Sequence, residues 1–213
     1  MLEKLSSQQI DKFNKLAQML LDANETLNLT RISDAEQIKV RHFEDSLVIL
    51  DRLTEIQTQS RNTPKLIDVG SGAGFPALAL AIAMPSWQIV SIEATGKKAQ
   101  FQQTAVKELA LNNTLVIHNR AEILSHDKKY RQKFHAATTR AVGSLAMIAE
   151  LTVPMLKVGG EFFAWKGPKA ETELTTGQQR LADLGCGLLN QQKYSLPGDS
   201  QKTDYRIINA KKI

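Results

Sequence analysis

Residues Leu66-Ile67-Asp68-Val69-Gly70-Ser71-Gly72-Ala73-Gly74-Phe75-Pro76 set an apolar run, a carboxylate and alternating glycines ahead of an alanine- and leucine-rich stretch. This is the pattern of a buried strand entering a glycine turn and then a helix, an arrangement that builds a cofactor pocket. Gly70, Gly72 and Gly74 can take backbone angles forbidden to other residues and allow a ligand close to the main chain. Pro76 suits the first turn of a helix, whose N-terminus offers free N–H groups and positive dipole character to a polar ligand. A second apolar run, Gln88-Ile89-Val90-Ser91-Ile92, ends in Glu93. A carboxylate there, about 20 residues beyond the turn, can accept hydrogen bonds from both hydroxyls of a ribose. Glu93 by itself suits either a dinucleotide or another nucleoside cofactor, but the alternating glycines depart from the dinucleotide pattern G-x-G-x-x-G.

These residues need a sheet to hold them. From Lys65 onward the chain alternates strand and helix patterns, which predicts a mostly parallel sheet covered on both faces. Strands are expected at 65–69, 88–92, 114–118, 135–139, 160–166, 187–194 and 203–210, and helices at 76–84, 96–110, 143–157 and 169–183. The connection Ser195-Leu196-Pro197-Gly198-Asp199-Ser200 is too short for a crossover helix, so the last two strands must be antiparallel. Residues 1–63 form a helical extension and 64–213 the core, together expected as one domain. In the extension, Ile10, Phe13, Leu16, Ala17, Leu20, Leu21 and Leu27 recur at helical spacing. Ser6 with Gln9 has capping-box spacing, and Ser33 with Glu36 repeats it before a second helix carrying Ile38, Phe43, Leu47 and Leu50.

The 213 residues, 42% of them hydrophobic, can bury roughly 70% of the surface exposed on unfolding. No run approaches the roughly 20 apolar residues of a membrane span, and the N-terminus lacks the pattern of a secretory signal. The single Cys186 makes neither an intramolecular disulfide nor a cysteine metal site; a cytoplasmic monomer is the expectation. His118, His126 and His135 have no ligand-like grouping, so no metal is assigned. A formal charge of +5, with basic groups at Lys97-Lys98, Lys128-Lys129-Arg131-Lys133 and Lys211-Lys212, makes nucleic acid the leading anionic partner. Phe163 and Trp165 sit in an expected strand and read as core rather than as a base-stacking platform.

The D-x-G-x-G-x-G sequence of Asp68 to Gly74 resembles the first motif of Rossmann-like S-adenosylmethionine (AdoMet) methyltransferases. Asn28-Leu29-Thr30, Arg41-His42-Phe43-Glu44-Asp45-Ser46, the glycine turn, Gly96-Lys97-Lys98, Arg120-Ala121-Glu122, Thr139-Arg140-Ala141 and Lys166-Gly167 follow in order. Over nearly the whole chain this series resembles the bacterial small-subunit ribosomal RNA guanine-N7 methyltransferases, the RsmG or glucose-inhibited division protein B family. The resemblance implies an α/β class I AdoMet-dependent methyltransferase fold with a seven-stranded sheet and an N-terminal helical extension. It also implies AdoMet as cofactor and, as target, a specific guanine in the decoding region of 16S ribosomal RNA within the small subunit. A nicotinamide-dependent oxidoreductase, a methyltransferase with another acceptor, and a non-catalytic ribosome-binding module are the alternatives.

Carried over by position, the resemblance implies cofactor contacts at Gly70, Phe75, Ala121, Glu122 and Arg140, beside the Gly72 and Glu93 read from the turn and the second strand. Ala77 and Ala79 stand where the family often has glycine and proline, and Glu93 replaces the more frequent aspartate. Arg41, His42, Lys97, Arg120 and Lys166 are the candidate RNA contacts. Guanine N7 has an in-plane lone pair and no proton to lose, so the reaction needs alignment rather than a general base. Arg140 and Lys166 are the candidates for that positioning. A bare cation pressed on N7 would oppose the reaction, because positive charge spreads into the purine as the methyl transfers.

Overall fold

The computed structural model describes residues 1–167, 170–197 and 204–213. Its strands are β1 Lys65–Val69, β2 Gln88–Glu93, β3 Thr114–His118, β4 Phe134–Arg140, β5 Leu156–Lys166, β6 Cys186–Tyr194 and β7 Tyr205–Lys212. They form one sheet in the order β3-β2-β1-β4-β5-β7-β6. Strands β1 to β5 pair in parallel and β7 lies antiparallel between β5 and β6. This is the class I methyltransferase architecture expected from the alternating pattern and the short final connection. Of that connection, Gly198, Asp199 and Ser200 lie outside the described residues, as do Thr203 of the expected last strand and Lys169 of the expected last helix.

Strand side chains alternate between the two faces, and neighbouring residues feed separate cores. Leu66, Ala136 and Phe163 join one buried cluster with Phe13, Leu16 and Leu20 of helix α1 (Ser7–Leu27). Ile67, Ala137 and Phe162 join the other with Leu145 and Ile148 of α8 (Leu145–Thr152) and Leu181 of α9 (Ala170–Asp183). The N-terminal extension thus packs on the same sheet face as α5 (Ala77–Ala83), whose residues are apolar on every side and almost wholly buried. A helix with no polar face must lie inside the molecule.

Helix α1 starts at the Ser6–Gln9 capping box. The second box is not formed. Asp34, not Ser33, caps α2 (Ala35–Ile38), its carboxylate accepting the N–H groups of Glu36 and Gln37, because an aspartate one residue nearer the helix reaches both orphan donors. The following helix is not uniform. A π segment, Lys39–Glu44, separates α2 from α3 (Asp45–Leu47), and a turn precedes α4 (Leu50–Gln59). The expected helix 143–157 is also shorter: α8 gives way to a 3₁₀ turn, Val153–Met155, and Leu156 already belongs to β5. Pro154 has no N–H to continue the α-helix. A short helix, α7 (Ala121–His126), was not expected beyond β3, since six residues carry too little periodicity. Helix α6 (Gly96–Glu108) agrees closely with expectation.

Candidate functional site

The carboxyl ends of β1, β2, β4 and β5 bring the glycine turn, Glu93, Arg140 and Lys166 to one edge of the sheet. Gly70, Gly72 and Gly74 all have positive φ, +74°, +60° and +99°. A side chain at Gly70 would put its Cβ 2.5 Å from Val142 Cγ2, whereas one at Gly72 would meet nothing within 4 Å. The turn is therefore closed at its first glycine and open at its second.

Its N–H groups are largely engaged within the protein, unlike the free set expected. Gly72 N–H donates to Glu93 Oε2 at 2.7 Å, and Phe75 N–H to Ser71 O at 2.8 Å. Ala77 N–H, at the start of α5, donates to Asp68 Oδ2 at 3.2 Å. Asp68 also accepts the Thr138 hydroxyl at 2.9 Å. Burial pushes the Asp68 carboxyl up to about 6, although its hydrogen bonds favour the charged form. Asp68 is thus a structural tie between β1, β4 and α5. Behind the turn, the Ser91 hydroxyl donates to Gln102 Oε1 at 2.5 Å, and Gln102 Nε2 donates to Gly72 O at 2.8 Å. Glu93, with Oε1 on Thr95 N–H at 2.7 Å, is held at the rim of the open space beside Gly72. An anchored carboxylate next to an open glycine fits a nucleoside whose ribose hydroxyls reach Glu93. Ala121 is buried at the start of α7, and Glu122 beside it is exposed and pairs with Arg120 at 3.8 Å.

Arg140 turns from the end of β4 toward the π segment. Its Nη1 donates to Asp45 Oδ2 at 2.8 Å and to Arg41 O at 2.9 Å, and its Nη2 donates to His42 Nδ1 at 3.0 Å. Because a guanidinium only donates, His42 Nδ1 must accept. The imidazole proton is therefore on Nε2, which donates to the Thr30 hydroxyl at 3.0 Å. Burial first, and then the Arg140 charge, lower the His42 pKa to about 3. Its neutral ring lies flat on Phe75, with centroids 4.5 Å apart and planes 2° from parallel. The π segment makes this possible: Asp45 N–H reaches back to Val40 O, the wider i→i−5 turn, so that Arg41 O, His42 and Asp45 converge on one guanidinium.

Asp45 gathers more. Tyr194 donates its hydroxyl to Oδ1 at 2.5 Å, and Trp165 Nε1 donates to Asp45 O at 3.0 Å. Burial and the neighbouring Asp45 carboxylate raise the Tyr194 pKa, keeping it a donor. Lys166 is equally tied, with Nζ on Gly143 O at 2.8 Å and Glu173 Oε2 at 2.9 Å. A cleft of about 340 Å³ opens among Arg41, Arg140, Lys166, Tyr205 and Leu196, with His42 and Trp165 in its wall. Lys97, in the first turn of α6, and Arg120 are exposed outside it.

Of the residues singled out from sequence, the glycine turn, Glu93, Phe75, Arg140, His42, Arg41 and Lys166 therefore gather at one edge. His42 is buried with both ring nitrogens engaged by the protein. Asp45, Tyr194, Thr30 and Glu173 organise the edge and were not assigned roles; only the placing of Thr30 and Asp45 within matched motifs marked two of them.

The model for the family described as rRNA small subunit methyltransferase G, GidB, matches residues 9–198. The chain belongs to that family. It is 41% identical over 198 residues to the ribosomal RNA small subunit methyltransferase G of Leuconostoc citreum, covering 93% of this chain and 82% of that protein. Against the protein of the same name from Lactobacillus acidophilus it is 36% identical over 210 residues, covering 99% and 85%. Among solved structures, a 16S rRNA (adenine(1408)-N(1))-methyltransferase from Catenulisporales acidiphilia superposes with a TM-score of 0.57 at 18% identity, covering 76% of this chain and 90% of that one. A precorrin-6y C5,15-methyltransferase from Geobacter metallireducens gives 0.54 at 17% identity, covering 79% and 88%. At such identities the likeness is one of fold.

Proposed function

We propose that this protein transfers the methyl group of AdoMet to N7 of a guanine in 16S ribosomal RNA, acting as a monomer on the small ribosomal subunit in the bacterial cytoplasm. The observation that carries the reading is a shared wall. Phe75 belongs to the glycine turn, His42 stacks on it, and His42 with Arg140 also lines the adjoining cleft. A cofactor held at Gly70, Gly72 and Glu93, with Ala121 and Glu122 at the far side, would thus border a cleft suited to a single base. AdoMet supplies an electrophilic methyl on a sulfonium there.

The protein's own groups suit an acceptor that loses no proton. His42 and Asp68 are fully engaged by neighbours, and neither is needed as a base. The two buried cations at the cleft, Arg140 and Lys166, carry a carboxylate partner at 2.8 and 2.9 Å, while the third, Arg41, is exposed to solvent. A purine that becomes positively charged meets a neutralised wall instead of two bare cations. The N–H faces of Arg140 and Lys166 left over, with exposed Arg41, orient the base or its phosphates. Alignment of this kind can lower a barrier by roughly 7–11 kcal/mol at best.

The test is methyl transfer from labelled AdoMet to small subunits taken from a strain lacking this gene, followed by digestion and nucleoside identification. Labelled 7-methylguanosine, absent with Gly70→Asp, is the expected outcome. AdoMet binding without RNA labelling would remove the acceptor from the proposal, and failure to bind AdoMet would remove the reaction.

A further inference from the structure

The opposite edge of the sheet, where the parallel strands begin, is built differently. Lys65 opens β1, Lys157 lies at the start of β5, and the loop between α7 and β4 brings Lys128, Lys129 and Lys133 alongside. Lys65, Lys128, Lys129 and Lys133 are exposed, and among the described residues none of the five makes an ion pair with a carboxylate. Asp127, the nearest acid in the loop, spends a carboxylate oxygen on Lys129 N–H at 2.8 Å. His135 accepts the Lys65 N–H on Nδ1 at 3.1 Å, and burial, then the charges of Lys157 and Lys65, hold its pKa below the ordinary imidazole value.

Between these lysines lies a groove of about 460 Å³ rimmed by Lys65, Lys129 and Lys133, with Val90, Leu115 and Phe134 in its floor and, among the described residues, no acid in its lining. Leu115, on the edge strand β3, is 52% exposed. Lys129 Nζ lies 5.5 Å from the centre of the Tyr130 ring. A rim of cations with no carboxylate partner among the described residues, around a partly apolar floor, is complementary to a polyanion with flat apolar bases. Along β4 the groove and the cleft are separated by the rise from His135 to Arg140, about 17 Å at about 3.3 Å per residue.

We infer that this groove is a second RNA-binding surface, which grips the phosphate backbone of 16S ribosomal RNA away from the target base. The inference rests on the functional reading above. The sequence cluster Lys128-Lys129-Arg131-Lys133 has no part in the methyl-transfer site, and the groove gives one to its Lys129 and Lys133. Two separated contacts on one folded RNA fix an enzyme's orientation as well as its position, which phosphate contacts do without reading sequence.

The test uses the full chain with Lys65→Gln, Lys129→Gln and Lys133→Gln combined, and a control with Lys4→Gln, Lys12→Gln and Lys107→Gln of equal charge change. Binding to small subunits and to protein-free 16S RNA is measured across a salt series. Removing one cation from a phosphate lowers the slope of log affinity on log salt by about 1. The groove variant is expected to lower that slope by about 3 on both RNAs and to show a raised KM for subunits, with kcat and AdoMet affinity unchanged. The control and the triple Lys→Arg variant keep the wild-type slope. Equal slopes for the groove variant and the wild type would overturn the inference while leaving the methyltransferase reading intact. A change on subunits alone would overturn it in favour of an acidic protein partner. A wild type that neither binds nor methylates subunits would overturn the functional reading itself.

Discussion

The two edges of the sheet hold their innermost cations under opposite rules, with Arg41 exposed at the mouth of the cleft. At the carboxyl edge Arg140 is locked to Asp45 and Lys166 to Glu173, both lysine and arginine side chains being largely buried. At the other edge Lys65, Lys129 and Lys133 are exposed and, among the described residues, make no ion pair with a carboxylate. A buried cation must be paired and hydrogen-bonded because desolvation of an isolated charge is costly. An exposed one remains solvated and attracts anions at a range set by salt. Pairing therefore gives geometry, and the absence of pairing gives attraction. A methyl transfer to a neutral ring nitrogen needs the first beside the reacting atoms, and the second serves where phosphates are held.

The sharpest way to break this contrast is Asp45→Ala. It removes the counter-ion of Arg140 and the acceptor of Tyr194, and leaving one partner of a buried pair costs about 3–5 kcal/mol. Denaturant unfolding should show a loss of that order, with RNA methylation lost as Arg140 leaves its place. Unfolding within about 1 kcal/mol of wild type, the range of a surface pair, would mean that the paired edge is not a stability element.

A second, intermediate effect lies in pH. His42 has a folded pKa lowered to about 3, so the unfolded state takes up its proton first as pH falls below the ordinary value. Its contribution to stability is complete above about 6.5 and is lost toward about 3, at about 1.4 kcal/mol per pH unit. Asp68 has its folded pKa raised to about 6. Its contribution is complete below the ordinary carboxylate value and is lost as pH rises to about 6, at the same rate with the opposite sign. Between about pH 4 and 6 the two slopes oppose each other. His42→Gln should expose the Asp68 slope, so that stability of the variant falls relative to wild type as pH rises through that window. Parallel pH profiles for the two proteins, measured as denaturant midpoints, would show that His42 is not buried and neutral.

The smallest expected effect is that of Arg120→Ala. Arg120 is 73% exposed in its side chain and its contact with Glu122 is 3.8 Å. An exposed pair of this kind contributes at most about 1 kcal/mol, and the thermal midpoint should hardly move. A large drop would place Arg120 with the paired edge instead of with the solvated cations.

How far each edge could be read from sequence follows the same division. The strand, glycine turn and Glu93 were legible because their relation is local: a run of apolar residues, alternating glycines and a carboxylate at a fixed separation along the chain. Ser6 with Gln9 was legible for the same reason, whereas Ser33 with Glu36 was not selected once Asp34 offered a closer cap. Pro154 shortened a helix whose apolar pattern ran on. The lysine run at 128–133 was visible as charge, yet nothing in its order indicated that Lys65 would join it across a groove.

The sequence by itself determined the alternation of strands and helices, the glycine turn and the family, since these depend on backbone conformation and spacing within short windows. Only the tertiary structure decided which charges meet. Arg140 finds Asp45 across 95 residues and Tyr194 finds it across 149. No periodicity carries contacts of that separation. They exist because a parallel sheet delivers its strand ends to one edge, and because a π turn in the N-terminal extension aims an imidazole, a carbonyl and a carboxylate at the same guanidinium.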